Sequence, residues 1–141
     1  MTQLKIKASD ADDLSVISAC LQDTAIRESD MVWEPTQHRF GFVGQRYMWE
    51  AKNGPRNGQR INCRVWVDGV QAAQRRGMDG PDNAFDLLAI TTEAGAITLH
   101  FAGGAAARLQ LLQDWRVYLE DFGPAWPCPA CPTHAEKAQN T

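Results

Sequence analysis

The chain has 141 residues, a formal net charge of −3, 44% hydrophobic residues and 22% charged residues, which is typical of one globular domain. No apolar run approaches the roughly 20 residues that cross a bilayer, and the N-terminus "MTQLKIKASDADD" lacks the apolar core of a signal peptide. We therefore expect a cytoplasmic protein without membrane insertion, in which the four cysteines are mostly reduced.

The N-terminal segment predicts a short strand followed by a helix. Alternation over Leu4–Ala8 indicates the strand, and Ser9 with Asp12 three residues later suits a helix N-cap. An apolar stripe then recurs at helical spacing: Leu14, Ile17, Leu21 and Ala25. This spacing predicts a helix of about four turns.

From Asp30 onward the apolar residues recur with a period of two, which indicates strands. Two of these strands are expected to meet at a turn near Pro35–His38. Phe40 and Phe42 would point to one face of the second strand, with Arg39 on the other face. The pattern therefore predicts a hairpin.

The next stretch, "INCRVWVDGV", alternates cleanly and predicts a further strand. Cys63 falls on its apolar face, so we expect this cysteine to be buried. Trp66 falls on the polar face, where an exposed indole can mark a contact surface. Three more strands are expected near residues 85–92, 96–101 and 106–112, with turns at 93–95 and 103–104.

The last regular element is predicted to be a helix within "QDWRVYLEDFG". Its large apolar residues stand at helical spacing: Trp115, Tyr118, Leu119 and Phe122. Gly123 and Pro124 would end the helix, as a C-cap residue and a helix breaker. We expect residues 1–126 to form a single domain and residues 127–141 to form a disordered, proline-rich tail.

This order of elements predicts the α+β class, because consecutive strands with short turns pair antiparallel. The strands would form a mostly antiparallel sheet or a partly closed barrel or sandwich. By analogy of element order, the arrangement is pleckstrin-homology-like, with a helix after the first strand and a C-terminal capping helix. A flatter sheet with both helices on one face is the alternative.

Four segments together resemble a family of small bacterial proteins classified as domain of unknown function 2948. The segments are "DLSVISACLQDTAI", "RFGFVGQRYMWE", "LLAITTEAGAITLHFAGGAAARLQL" and "YLEDFGPAW". The resemblance covers residues 4–126, short of the cysteine-containing tail. The matching segments are mostly core and turn patterns. The resemblance implies no activity, cofactor or catalytic residue, because none is known for the family.

Charge is distributed unevenly along the chain. Residues 39–76 carry eight basic and two acidic side chains, a net charge of +6, whereas the rest of the chain nets −9. Arg60 and Arg64 share the predicted strand face with Trp66, and Arg46 could join them from the neighbouring hairpin. Such a face suits an acidic protein or another anionic partner. The alternative is a solvated face, or one that pairs with the chain's own acidic residues.

The tail contains three potential zinc ligands, Cys128, Cys131 and His134. A structural zinc site normally needs four protein ligands, and nothing places a fourth beside these three. The surrounding prolines oppose the helix N-terminus that would activate a redox cysteine pair. The readings that stay open are a solvated tail with incidental cysteines, a zinc-binding tail and a thiol pair. No cofactor other than this zinc is expected.

No sequence motif indicates catalysis. His38 and His100 lie in a predicted turn and strand, away from any recognisable nucleophile motif. The glycine-rich stretch "FAGGAAARL" joins two strands, whereas a phosphate-binding loop opens a helix. We therefore expect a non-enzymatic binding or interaction module that is compatible with a homodimer. The alternatives are a small-molecule-binding barrel, an enzyme, and a metal-dependent module built on the tail.

Overall fold

The computed structural model describes residues 3–51, 58–78 and 83–128, and within them the chain forms one α-helix and seven strands. The elements are β1 (Lys5–Ala8), α1 (Ala11–Leu21), β2 (Thr24–Glu34), β3 (Arg39–Tyr47), β4 (Gln59–Arg76), β5 (Ala84–Glu93), β6 (Ala96–Phe101) and β7 (Ala106–Pro127). Most of the predicted tail, residues 129–141, lies outside the described residues.

Strands β2 to β7 close into a six-stranded antiparallel barrel. The strand order is β1-β7-β4-β3-β2-β5-β6, and a further pairing between β6 and β7 joins the two sides. The long β7 pairs with three strands. Its residues 106–110 pair with β6, its residues 117–120 pair with β1, and β4 pairs with both parts. The predicted antiparallel α+β class is confirmed, and the flatter open sheet is wrong because the sheet closes.

Alternation along each strand fills the inside of the barrel. Phe40 and Phe42 of β3, Cys63 of β4 and Leu119 of β7 are all buried in one contiguous apolar cluster. Cys63 is thus buried, as its position in the alternating pattern predicts. The predicted turns at 93–95 and 103–104 are also present, between β5 and β6 and between β6 and β7.

Helix α1 is shorter than predicted and begins one residue later. Asp10 is its N-cap in place of Ser9, because the Asp10 carboxylate accepts a hydrogen bond of 2.8 Å from the backbone N–H of Asp13. The helix spans 11 residues, about three turns, and Ala25 of the expected stripe lies in β2. Leu14, Ile17 and Leu21 are its buried residues.

Helix α1 is fixed to the barrel wall, where the hydroxyl of Ser18 accepts a hydrogen bond of 2.9 Å from the N–H of Ile90 in β5.

Among the described residues, no helix has the length and apolar character needed to cross a membrane.

The predicted C-terminal helix is wrong, because its residues belong to β7. Val117 and Leu119 point into the core, while Tyr118 and Glu120 between them lie on the outer face. The segment mimics helical spacing because both faces of the strand carry large apolar residues. Pairing with β1 on one side and β4 on the other selects the strand. The pleckstrin-homology-like cap by a C-terminal helix is therefore not formed by the described residues.

Candidate functional site

The structure separates the four residues that the sequence predicts to bind a partner. Arg60, Arg64 and Trp66 occupy alternate positions of β4 on the outside of the barrel. Arg46 belongs to the inward-facing set of β3 and is fully buried. It therefore does not lie on the predicted basic face, and the reason is the alternation of its own strand.

Arg46 is the centre of a buried ionic network. Its Nε and Nη2 donate hydrogen bonds of 2.7 Å each to the two carboxylate oxygens of Asp121 in β7. Its Nη1 and Nη2 donate to Glu50 at 3.0 and 2.6 Å. Asp121 also exchanges hydrogen bonds with the backbone of Leu4, at 2.8 and 2.9 Å. The network thus ties β3, β7 and the start of β1 together.

The network keeps Arg46 and Glu50 ionised. Burial by itself would lower the pKa of Arg46, but the hydrogen bonds that it donates to Asp121 and Glu50 outweigh burial and hold that pKa above its ordinary value. Burial would raise the pKa of Glu50, whereas the hydrogen bonds from Arg46 lower it overall. Because every charge has a bonded partner here, the arrangement suits a structural role better than proton transfer.

The two cysteines that pack near this network are poor nucleophiles. Burial raises the pKa of Cys63 to about 12, and burial also raises the pKa of the half-buried Cys20. The reactive form of a cysteine is the thiolate, which both shifts disfavour. Neither thiol is therefore prepared for catalysis.

A groove of about 500 Å³ lies on the outer face of β2, β3 and β4, and we call it the aromatic groove. Its floor is formed by Val32, Gly41, Val43 and Trp66. The Trp66 ring stacks on Tyr118, with 5.2 Å between ring centroids and 21° between planes. Val32 is 52% exposed and Val43 is 40% exposed, so the floor presents apolar surface to solvent.

Gly41 gives the groove its depth. It pairs with Val32 on one side and with Trp66 on the other, in the middle of the outer face. A Cβ atom at this position would lie 3.1 Å from the carbonyl oxygen of Val65 and 3.5 Å from the Cβ of Trp66. The missing side chain leaves the two apolar neighbours exposed to the groove.

The rim of the aromatic groove carries both signs of charge. Arg39 Nε lies 2.7 Å from Asp68 Oδ1, while Arg64 Nε lies 3.7 Å from Glu120 Oε1. The Arg64 guanidinium also lies 4.4 Å from the ring centroid of Phe122, within the range of a cation–π contact. The two arginines of the rim therefore each have a carboxylate partner, Asp68 of β4 for Arg39 and Glu120 of β7 for Arg64.

Two carboxylates complete the rim on the β2 side. Asp30 and Glu34 flank Val32 at alternate positions of β2, and both border the groove. No ion pair within 4 Å joins either of them to another described residue. The pKa of Arg39 is raised mainly by its hydrogen bond to Asp68, and the charge of Glu34 adds a smaller contribution. The β2 side of the groove is consequently acidic.

Arg60 serves a local function outside the aromatic groove. Its Nη1 donates hydrogen bonds to the carbonyl oxygens of Asp23 and Gln45, at 3.2 and 2.9 Å. The guanidinium also lies 5.8 Å from the ring centroid of Tyr47. The structure therefore brings Arg64 and Trp66 together, and it leaves Arg60 and Arg46 apart from them.

Only Cys128 of the predicted metal ligands lies within the described residues, and its backbone N–H donates to Gly58 at 2.8 Å. Cys131 and His134 lie outside them. Over residues 3–51, 58–78 and 83–128, no three side chains of His, Cys, Asp or Glu cluster as metal ligands. Zinc binding by the tail stays a prediction.

Sequence reasoning missed Tyr118 and Glu120 as part of the site, because their segment was predicted to be a helix. The signal that could have identified them is the alternation of buried Val117 and Leu119 with Tyr118 and Glu120. That pattern is as regular as the one in β4, which was recognised as a strand.

Comparison with known proteins identifies one family. A family model described as "Protein of unknown function (DUF2948)" matches residues 4–134. The match is longer than the 4–126 expected from the sequence and includes Cys128, Cys131 and His134. No curated protein and no solved structure matches the chain.

Proposed function

Since the chain belongs to the DUF2948 family, whose function is unknown, we propose from its surface geometry that it is a cytoplasmic, non-enzymatic interaction module. Its binding surface is the aromatic groove, and its ligand is a segment of a partner protein. The observation that supports this proposal best is the stacked Trp66–Tyr118 pair beside the exposed Val32 and Val43.

The composition of the aromatic groove favours protein binding. Trp, Tyr and Arg are the residues that most often dominate the energy of protein interfaces. Trp66 and Arg64 lie two residues apart on β4, and Tyr118 supports the indole from β7. All three are on paired strands, so little conformational entropy is lost when a partner binds.

Charge complementarity indicates the chemistry of the partner segment. The groove is bordered by three carboxylates, Asp30, Glu34 and Glu120, and by two guanidiniums that already have carboxylate partners. The partner segment that fits best carries an apolar side chain for the floor and a Lys or Arg for the β2 side. An acidic partner, as expected from the sequence, would meet repulsion from Asp30 and Glu34.

The interior of the barrel gives less support to the small-molecule alternative. Inward side chains of all six barrel strands and of α1 form one contiguous apolar cluster. The aromatic groove, in contrast, is an open surface with apolar floor and charged rim. Such an arrangement resembles the core and rim of a protein interface.

Site-specific photocrosslinking in cells tests the proposal. A photoreactive phenylalanine analogue replaces either Val32 in the groove or Val16 on α1, which are 52% and 53% exposed. We expect a discrete crosslinked product from position 32 only. It should disappear when Asp30→Lys and Glu34→Lys are introduced together, because the charge complementarity is reversed.

The control is the unfolding midpoint of the Asp30→Lys/Glu34→Lys variant, which should match that of the parent because both residues are exposed. A product heavier by one copy of the chain would identify the partner as a second subunit, and the groove as a homodimer interface. Equal crosslinking from positions 16 and 32, or none from either, would contradict the proposal.

A further inference from the structure

A second cleft, of about 600 Å³, crosses the outer face of β4, β7 and β6, and we call it the cationic cleft. Its side chains include Gln74, Arg76, Thr98, His100, Ala106 and Arg108, together with the carboxylate of Glu93. It lies about ten residues along β4 from the aromatic groove and shares no side chain with it. Its function is therefore independent of the function proposed above.

Strand register places the polar groups in two adjacent rows. Gln74, Arg108 and Thr98 are direct neighbours across the three strands. Arg76, Ala106 and His100 form the next row. Neighbouring strands lie about 4.8 Å apart, so Arg76 and His100 start roughly 10 Å apart with only the methyl group of Ala106 between them. This gap can admit one tetrahedral anion with a hydrogen bond to each side.

Arg76 and Arg108 of the cationic cleft are less neutralised than the arginines of the aromatic groove. Arg76 is exposed, and no ion pair joins it to another residue in the described ranges. Arg108 lies 4.0 Å from Glu93, and their side chains are 47% and 64% exposed, so this pair is weak. Arg75 also borders the cleft, but its guanidinium pairs with Glu28 at 2.7 Å.

The other side chains of the cleft supply hydrogen-bond donors and one carboxylate, that of Glu93, which faces Arg108. Gln74 contributes an amide and Thr98 a hydroxyl. His100 Nε2 lies 2.7 Å from the hydroxyl of Thr91, which orients the imidazole ring. The side chains that border the cleft include no Phe, Tyr or Trp ring. Apart from the His100 imidazole, the cleft therefore offers no stacking platform of the kind that single-stranded nucleic acids use.

We propose that the cationic cleft binds the phosphoryl group of a small phosphorylated molecule, with Arg76 and Arg108 as its charged donors. A guanidinium presents several N–H groups in a planar fork that matches phosphate oxygens, and charge-assisted hydrogen bonds are the stronger kind. The volume of the cleft falls in the range of small-ligand sites. The basic residues 39–76 predict an anionic partner. The cationic cleft would bind such a partner at a distance from the acidic β2 side of the aromatic groove.

The test is a titration followed by two-dimensional NMR of backbone amides at constant ionic strength. Inorganic phosphate and glycerol phosphate are the two phosphoryl probes, and chloride is the control anion. We expect saturable shifts at Arg76, His100 and Ala106 with both probes. Arg76→Gln/Arg108→Gln should weaken binding by about tenfold or more, since two charge-assisted contacts are lost.

The matched control is Arg27→Gln/Arg116→Gln, which removes the same charge from two exposed arginines outside the cleft. This variant should bind both probes as the parent does. If both double variants bound the probes equally weakly, the loss of binding would follow from the lower net charge alone, and the proposal would be overturned. Saturation by a single-stranded oligonucleotide, with no saturable response to either phosphoryl probe, would overturn the assignment of a small phosphorylated ligand.

Discussion

Two ion pairs with the same short contact show how burial decides what an arginine does. Arg46 Nε lies 2.7 Å from Asp121, and Arg39 Nε lies 2.7 Å from Asp68. Both side chains of the first pair are fully buried, whereas those of the second are 44% and 33% exposed. Water and salt screen the exposed pair, but an unpaired charge in the interior has no substitute partner.

We expect Arg46→Met to lower the free energy of unfolding by about 3–5 kcal/mol. The substitution removes the guanidinium that is bonded to Asp121 and leaves that carboxylate as a buried charge. Arg39→Met should cost about 1 kcal/mol or less. Urea unfolding at neutral pH measures both values. Adding Asp121→Asn to the Arg46→Met variant should recover part of the loss, and similar losses for the two single variants would contradict this account.

The position of Arg46 could not be predicted from the sequence. Its buried partner Asp121 is 75 residues away in the chain, so no local pattern links them. A basic residue in a strand is ordinarily assigned to the surface, since isolated buried charges are costly. Trp66 and Arg64, in contrast, were placed correctly because their own strand alternates.

At the level of elements, β7 shows how a local pattern can indicate the wrong structure. Trp115, Tyr118 and Phe122 stand at helical spacing, yet all belong to one strand. The part of β7 that pairs with both β1 and β4 spans residues 117–120. Main-chain hydrogen bonds on both sides outweigh helical propensity, which is a weak preference.

The pairing of β4 with β7 depends on an irregularity at Gly69. This glycine lies at a register shift between Asp68 and Val70 and has a φ of 86°. A Cβ atom there would lie 2.5 Å from the carbonyl oxygen of Asp114 and 2.9 Å from the Cα of Trp115. Both are backbone atoms, so they cannot move aside as a flexible side chain could.

Gly69→Ala should therefore destabilise the barrel more than Gly95→Ala does. Gly95 has a similar φ of 75°, but nothing lies within 4 Å of its added Cβ. We expect a loss of about 1 kcal/mol for Gly95→Ala, from the left-handed backbone alone. Gly69→Ala should lose about 1–3 kcal/mol more, as an overpacked site does. Thermal and urea unfolding measure the stability of the two variants. Equal losses of stability would show that the close approach of β4 and β7 at Gly69 does not restrict the side chain there.

At the scale of the whole molecule, both ends of the described chain are hydrogen-bonded to the barrel. Leu4 is bonded to Asp121, and Cys128 is bonded to Gly58. The outer surface carries two separate concave regions along β4, the aromatic groove and the cationic cleft. Both regions can lie on the outside because closure of the sheet buries the inward faces of all six strands and leaves their outward faces at the surface.

Shortening the chain after Cys128 should leave its stability unchanged. The bond from the Cys128 N–H to Gly58 is retained, while Cys131 and His134 are removed. We expect equal unfolding midpoints for the full and shortened chains, with and without equimolar zinc, because three ligands fall short of a structural zinc site. A zinc-dependent rise in the full chain alone, abolished by Cys131→Ser, would instead support a metal site in the tail.

The sequence by itself determined the features that depend on local patterns. Alternation predicted β3 and β4, the burial of Cys63 and the outward position of Trp66. The turn near residues 35–38 was likewise predicted from its own residues. Each of these follows from which side chains alternate within one strand or where the chain must reverse.

Only the tertiary structure decided the features that depend on residues far apart in the chain. These are the strand identity of residues 113–123, the burial of Arg46, the ion pairs of the rim and the closure of the sheet. Closure requires β6 to pair with β7, and the aromatic groove requires Val32, Gly41 and Trp66 from three strands. The physical reason is that hydrogen bonds and burial between strands are set by register across the barrel, which no local spacing records.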